Sequence, residues 1–251
     1  MTSRCTRRLM LGLLAAAIVF PFVAGSASAQ APLGCPFQSP VAAPDPQNPN
    51  LGQLKLWLRE YRCTRYDAEL AQKLAEARAW IAQRAGQVTN PAVVLDIDET
   101  SLSNWAQMYR NDFGYIPGGG CDRDVATACG QRAWELSAEA VAIEPTLQLF
   151  NAARELSVAV FFVTGRTDGP LERTSTAENL RKAGYRDWSG LYLRPASTRG
   201  RPVAEYKSET RAGIEAAGYR IIANIGDQDS DLANGHAEKA FKLPNPFYYI
   251  P

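Results

Sequence analysis

Short, almost wholly apolar runs alternate along the chain with longer stretches of helical periodicity. Four runs have the length of buried strands: AVVLDID from Ala92, VAVFFVTG from Val158, LYLR from Leu191 and RIIANIGD from Arg220. Helical patterns over residues 171–184 and 203–218 separate the later runs, and KAFKL from Lys239 could add a short strand. Since strands joined through helices form crossover connections, the alternation predicts an α/β fold, a Rossmann-like parallel sheet with helices on both faces.

A helical pattern also precedes the first run. Apolar residues recur three and four positions apart, at Leu54, Trp57, Leu58 and Tyr61 and then at Leu70, Leu74, Ala77 and Ile81. This spacing predicts a helix in two pieces over residues 51–84, with a break near Cys63 and Thr64. Residues 30–50 contain six prolines, which predicts an extended segment lying over the surface.

Residues 1–29 have the three parts of a secretory signal peptide. A basic start (Arg4, Arg7, Arg8) precedes an apolar centre and a small-residue cleavage site at 27–29. We therefore expect an exported protein, periplasmic or secreted, with no stable membrane insertion once the signal is removed. A retained membrane anchor is the alternative, and TRRLML is compatible with twin-arginine as well as general export.

The charge of the remaining chain is nearly balanced. Cleavage after Ala29 would leave 222 residues with 24 basic and 26 acidic side chains. Nucleic-acid binding normally requires a basic face, so no nucleic-acid partner is expected. The length fits one α/β domain with an inserted subdomain, and no pattern specifies an oligomeric state.

Four of the five cysteines would remain after cleavage. An even number in an exported chain predicts two disulfides, with three possible pairings. Cys121 and Cys129 could close a small loop, which would leave Cys35 to pair with Cys63. Free buried thiols are the alternative, and zinc is disfavoured because the sole histidine, His236, has no companion near the cysteines.

Residues 101–144 interrupt the alternation directly after the first strand. This insertion is rich in aromatic residues and contains PGGG at 117–120. Open parallel sheets bind ligands beyond the carboxyl ends of their strands, so the insertion is predicted to be a small cap over such a site. Its aromatic side chains could stack on a nucleobase or aryl group, or they could pack the insertion against the sheet; they are Trp105, Tyr109, Phe113 and Tyr115.

Polar residues cluster at the carboxyl ends of the predicted strands. They are Asp96 and Asp98 after the first run, Thr164, Gly165 and Arg166 after the second, Asp227 and Asp231 after the fourth, and Lys207 in the preceding helix. Each alone has an ordinary explanation as a turn, a cap or a solvated side chain. Parallel topology brings them all to one edge of the sheet, and this joint placement predicts a site.

The carboxylates of this site need a cation or protonation. Two unit charges about 4 Å apart repel by roughly 4 kcal/mol at an effective dielectric of about 20. Lys207 alone would leave excess negative charge, and Mg²⁺ suits a site of carboxylates, waters and a substrate phosphate. The candidate ligands are Asp96, Asp98, Asp227 and Asp231, of which Asp231 could instead orient the others from outside the ligand shell.

The motif of residues 96–100, Asp-Ile-Asp-Glu-Thr, resembles the Asp-x-Asp-x-Thr signature of the haloacid dehalogenase (HAD) superfamily. Together with FFVTGR, YKSETR, IGDQDSDL and FKLPNPFYYIP, it makes residues 52–251 resemble the secreted acid phosphatases of that superfamily, including their plant vegetative-storage-protein relatives. The resemblance implies a HAD domain over residues 51–251, with the cap at about 101–144. Some storage-type relatives lack the nucleophilic aspartate, which this chain keeps at Asp96.

The chemistry and the resemblance together imply a role for each aspartate. Asp96 would attack phosphorus and form an aspartyl-phosphate, and Asp98 would protonate the leaving alcohol and then activate water. Asp98 must begin protonated, and a crowd of anions would favour this by raising its pKa, which predicts an acidic optimum. Asp227 would bind Mg²⁺ beside the Asp96 carboxylate and the Asp98 backbone carbonyl.

The remaining residues would bind phosphate or support the site. Thr164 and the backbone near Gly165 would hydrogen-bond the phosphoryl oxygens, and Lys207 would neutralise their charge. Arg166 would contact the substrate or form a structural salt bridge, Glu99 is expected on the solvent or helix side, and His236 is expected at the surface.

These expectations describe an exported, Mg²⁺-dependent acid phosphatase acting on small phosphomonoesters, with nucleotides and aryl phosphates as candidates. Phosphoryl transfer to an acceptor alcohol through the same intermediate is one alternative. A storage-type protein that keeps the pocket but turns over little is the other.

Overall fold

Two helices lead into the sheet, α1 (Leu51–Thr64) and α2 (Tyr66–Arg84). Asn50 caps α1, because its side-chain oxygen accepts hydrogen bonds from the first free amides of the helix. The break between the helices lies at Arg65, directly after the predicted position. The computed structural model describes residues 36–37, 40–122 and 128–250, so the predicted signal peptide lies outside the described residues.

The strands of the described residues form one parallel sheet and one small ribbon. They are β1 (Pro91–Leu95), β2 (Leu102–Ser103), β3 (Val141–Ala142), β4 (Ala159–Thr167), β5 (Gly190–Arg194), β6 (Arg220–Gly226) and β7 (Ala240–Lys242). The parallel sheet has the order β5-β4-β1-β6-β7, which confirms the predicted α/β class. The first strand ends at Leu95, so Asp96 and Asp98 lie in the turn that follows it.

Helices cover both faces of this sheet. After α1 and α2, the α-helices of the described residues are α3 (Trp105–Arg110), α4 (Gln131–Ser137), α5 (Glu144–Glu155), α6 (Pro170–Lys182), α7 (Val203–Ala216) and α8 (Asp229–Leu232). Alternate residues of β1 enter different clusters: Val93 packs in the core shared by α2 and α5, and Val94 packs in the core that contains Ile214 of α7. Helix α5 was not predicted from the sequence. Among the described residues, no helix has the length and apolar character needed to cross a membrane.

The segment between β1 and α5 forms a separate substructure at the carboxyl edge of the sheet. Its two ends pair as an antiparallel ribbon, with Leu102 opposite Ala142. Helices α3 and α4 lie between them, and a disulfide joins Cys121 to Cys129, as predicted. The second predicted disulfide involves Cys35, which lies outside the described residues, so that pairing stays a prediction.

Aromatic residues anchor this substructure to the rest of the chain. The ring of Trp105 lies 5.9 Å from that of Phe113 and 5.3 Å from that of Phe247, near the C-terminus. Tyr109 lies under the guanidinium of Arg59 in α1. These residues therefore pack the insertion, which is the second of the two predicted alternatives, whereas Tyr115 is 75% exposed.

Candidate active site

The centre of the site is a buried lysine between two aspartates. Asp96 follows β1, and its backbone N–H continues the ladder to Ile225 of β6 at 3.0 Å. Lys207 projects from the buried face of α7, and its Nζ donates to Asp96 Oδ1 and, at 2.5 Å, to Asp231 Oδ1. The two strand ends and α7 thus bring together three of the residues predicted from the sequence.

Hydrogen bonds fix the side chains of Asp231 and Asp227. Asp231 lies in the first turn of α8, and Asp227 accepts from three donors. The second oxygen of Asp231 accepts from the Gln228 N–H at 2.8 Å and completes the cap of α8. Asp227 is 1% exposed. It accepts from the Thr100 hydroxyl at 3.0 Å and from the amides of Gln228 and Asn245, each at 2.7 Å.

Three of the predicted ligands form a cluster suited to a metal ion. Asp96, Asp227 and Asp231 each offer an oxygen, and these oxygens lie within 4.8 Å of one another. Carboxylate oxygens are the hard ligands that Mg²⁺ and similar ions prefer. Three carboxylates and the Lys207 ammonium leave two negative charges, which one divalent cation would balance. The residues therefore fit a divalent ion.

The pKa values of the cluster reflect this excess of negative charge. Burial raises the pKa of Asp96 well above its ordinary range, and the charge of Asp231 adds to the shift. Burial and Asp231 likewise raise the pKa of Asp227 to about 6. Burial alone would lower the pKa of Lys207, but its two carboxylate partners outweigh that effect and raise it.

Asp98 has a different environment from the one expected. Arg166 donates to Asp98 Oδ1 at 2.7 Å and to Oδ2 at 3.1 Å, and the Asn104 amide donates to Oδ1 at 2.8 Å. Burial alone would raise the pKa of Asp98, but Arg166 and Asn104 outweigh it and lower the pKa. The expectation of a raised pKa was therefore wrong, because a guanidinium and not a carboxylate is its nearest charged neighbour. For Arg166 the structure shows the predicted salt-bridge alternative.

Thr164 and Gly165 lie in the carboxyl-terminal half of the neighbouring strand, β4. The register pairs Leu95 of β1 with Phe162 of β4, which places Asp96 and Thr164 one and two residues beyond a shared pair. Thr164 is buried and its hydroxyl accepts from the Arg166 N–H at 3.2 Å, while Gly165 is exposed.

Glu99 was placed wrongly by the sequence and His236 correctly. Glu99 is 1% exposed in a left-handed backbone conformation with φ of 53°. Its carboxylate accepts from the Asn104 N–H at 2.5 Å, and burial together with the Asp98 charge raises its pKa to about 8. His236 lies at the surface, where it bonds Glu215 at 2.8 Å.

Sequence reasoning also missed the uncharged residues that hold the aspartates. Their signal was position within the motifs, since all lie in DIDETSLSN, GDQDSDL or LPNPFYY. They are Thr100, Asn104, Gln228 and Asn245.

Comparison with known families identifies the family to which the chain belongs. Residues 52–251 match the model of the HAD superfamily, subfamily IIIB (acid phosphatase). The chain belongs to this family, which confirms the resemblance found in the motifs.

Three similar proteins come from plants. Acid phosphatase 1 of Solanum lycopersicum is 37% identical over 158 residues, which cover 62% of this chain and 58% of the tomato protein. Stem 28 kDa glycoprotein of Glycine max is 37% identical over 161 residues (62% and 59%). Vegetative storage protein 1 of Arabidopsis thaliana is 30% identical over 201 residues (78% and 70%). The chain thus spans about three fifths of the length of the first two relatives.

A solved structure has the same fold. The class C acid phosphatase from Bacillus anthracis superposes with a TM-score of 0.59 at 19% identity, over 79% of this chain and 85% of that one. A second structure of that protein has tungstate bound. At this identity the likeness shows the fold alone. The family and the tomato relative support the prediction of a phosphatase.

Proposed function

We propose that this protein is an exported, Mg²⁺-dependent acid phosphatase that hydrolyses small phosphomonoesters through an aspartyl-phosphate on Asp96. The observation that carries the proposal is the buried cluster in which Asp96 shares Lys207 with Asp231 and lies beside Asp227. The family supports the reaction class, and the predicted signal peptide supports export.

The metal ligands would be Asp96, Asp227 and the backbone carbonyl of Asp98. Asp231 would either complete this set or orient it through Lys207. When bound, the cation neutralises the phosphate and so permits an anionic carboxylate to approach an anionic substrate.

In the first step an oxygen of Asp96 forms a bond to phosphorus while the bond from phosphorus to the alcohol oxygen breaks. Lys207 bonds Asp96, so it favours the ionised nucleophile against the cost of burial. The same ammonium is placed to neutralise charge that develops on the phosphoryl group. Thr164 and the backbone at Gly165 would hydrogen-bond the phosphoryl oxygens.

Asp98 transfers protons in both steps. Its proton passes to the departing alcohol oxygen; in the second step its carboxylate accepts a proton from water, whose oxygen attacks phosphorus and releases Asp96. Because Arg166 lowers the pKa of Asp98, the acid form is populated only at low pH. An acidic optimum is therefore expected from the lowered pKa of Asp98 and not from the raised pKa predicted from the sequence. It requires that a bound cation would keep Asp96 ionised at that pH, because, without metal, burial and Asp231 raise the pKa of Asp96.

The insertion over residues 101–144 is proposed to be a cap that roofs the phosphate site. Hydrogen bonds attach its ribbon and α4 to the segment that follows Asp98. The Ile143 N–H donates to the Ser101 carbonyl at 3.0 Å, and the Trp134 indole N–H donates to the Asn104 side chain. Arg166 forms a salt bridge with Asp98. We propose that it affects the substrate through Asp98 and does not contact it directly.

Hydrolysis of p-nitrophenyl phosphate, measured with EDTA and after adding Mg²⁺ back, tests the proposal. Turnover should disappear with EDTA, return with Mg²⁺, and be abolished in Asp96→Asn. Undiminished turnover in that variant would exclude the mechanism. A substrate panel that compares nucleotides, aryl phosphates and sugar phosphates would then define the leaving group.

A further inference from the structure

The side chain of Asn104 uses all of its hydrogen-bonding groups inside the site. Its Nδ2 donates to Asp98 Oδ1 at 2.8 Å and to Glu99 Oε2 at 3.0 Å. Its Oδ1 accepts from Trp134 Nε1 at 2.7 Å. Asn104 is 3% exposed and Trp134 is 9% exposed, so water does not readily replace these bonds.

Only one orientation of this amide satisfies its neighbours. The indole N–H of Trp134 can only donate, and the ionised carboxylate of Asp98 can only accept. A flipped Asn104 would turn its NH₂ toward the indole N–H and its oxygen toward Asp98, leaving buried polar groups unpaired at considerable cost. Trp134 therefore fixes the orientation in which Asn104 donates to Asp98.

The two oxygens of Asp98 are held unequally. Oδ1 accepts from Asn104 and, at 2.7 and 3.2 Å, from two nitrogens of Arg166. Within the described part of the chain, Oδ2 accepts only from Arg166 Nε, at 3.1 Å. The Asp98 side chain is 21% exposed, so one oxygen is anchored and the other is left to exchange a proton.

We propose that Asn104 and Trp134 are positioning residues that present Asp98 Oδ2 to the leaving group. This inference rests on the proposed function and adds that the proton-transfer geometry depends on the insertion. Trp134 belongs to α4, which begins next to the disulfide at Cys129. The packing of α4 therefore controls the orientation of the proton donor Asp98, in addition to forming part of the proposed cap.

Trp134→Phe tests the inference because it removes the N–H and keeps an aromatic ring. Protonation by Asp98 matters most for a poor leaving group, so kcat/KM for an alkyl phosphate should fall about tenfold or more. For p-nitrophenyl phosphate, whose leaving group needs little protonation, kcat/KM should change less than about threefold. Asp98→Asn should show the largest difference between the two substrates in the loss of kcat/KM. Asn104→Ala should show the same pattern as Trp134→Phe.

Trp80→Phe is the matched control. The Trp80 indole N–H donates to the Ile222 carbonyl at 2.8 Å, in the half of β6 remote from the site. Loss of this bond should leave the ratio of the kcat/KM values for the two substrates unchanged. Equal losses on both substrates in Trp134→Phe and Asn104→Ala, with folded proteins, would overturn the inference. Failure of the unsubstituted protein to hydrolyse either ester would instead contradict the proposed function.

Discussion

Replacing Lys207 with methionine should reveal how strongly the aspartate cluster depends on one ammonium group. Nζ of Lys207 contacts Asp96 and Asp231, and the three side chains are at most 7% exposed. Methionine keeps most of the length and the apolar stem of lysine but has no charge. The substitution therefore leaves two buried carboxylates without their cation.

The magnitude follows from the burial of these groups. Removing one partner of a buried ion pair typically costs about 3–5 kcal/mol, and in a domain of this size each kcal/mol lowers Tm by about 2–4 °C. We expect Lys207→Met to lose about 3–5 kcal/mol of unfolding free energy at neutral pH without metal. The folded-state pKa of Asp96 is raised, so its charge destabilises the fold above that pKa. Protonation in mildly acidic buffer should therefore remove part of the loss.

Urea unfolding in EDTA, at neutral and mildly acidic pH, measures this free energy. Lys242→Met is the matched control, since Lys242 pairs with Asp229 at 2.8 Å but both side chains are exposed; such pairs contribute about 0–1 kcal/mol. Mg²⁺ should restore part of the stability of Lys207→Met, because a ligand that binds only the folded state stabilises it. A loss as small as that of Lys242→Met, or one independent of pH, would refute the charge argument.

Three further predictions follow from the same site. Asn245→Ala removes a 2.7 Å donor to Asp227 and should weaken Mg²⁺ binding in calorimetry by about 10–100-fold, as loss of outer-shell support does; unchanged affinity would contradict the ligand assignment. Because the pKa of Asp227 is raised to about 6, protons should compete with the metal ion for this carboxylate below that pH. The pH optimum of hydrolysis should therefore shift to lower pH as the Mg²⁺ concentration increases; an optimum that does not change with Mg²⁺ concentration would exclude this competition. Replacing Cys121 and Cys129 by serine should cost about 2–3 kcal/mol of unfolding free energy, as expected for a short loop; equal urea midpoints would show that the disulfide adds no stability.

The convergence of the charged residues could be predicted from the sequence because apolar runs and crossover helices fix the direction of every strand. Asp96, Lys207 and Asp231 lie far apart in the chain, yet parallel topology alone brings their elements to one edge. Helix α5 was missed because its amphipathic pattern directly follows the irregular insertion, where β3 has only two residues and so gives no apolar run of strand length in the sequence.

The side-chain geometry of the site was less accessible. The order of residues gives a count of charges but not their directions, so Asp98 was placed among anions although Arg166, 68 positions away, turns toward it. Glu99 follows Asp98 in a turn, where neither helical nor strand periodicity applies, and its positive φ directs it inward. The amide of Asn104 depends on Trp134, 30 positions further along, and so on how the insertion folds back.

The most direct measurement of the central claim is to locate the phosphoryl group during turnover. Protein mixed with p-nitrophenyl phosphate and Mg²⁺ would be quenched in acid, digested and analysed by mass spectrometry. A phosphoryl group should appear on the peptide that contains Asp96, increase in Asp98→Asn, where water is no longer activated, and be missing in Asp96→Asn. Steady hydrolysis with no phosphorylated Asp96 under any quench time, or a phosphoryl group on a different residue, would contradict the account.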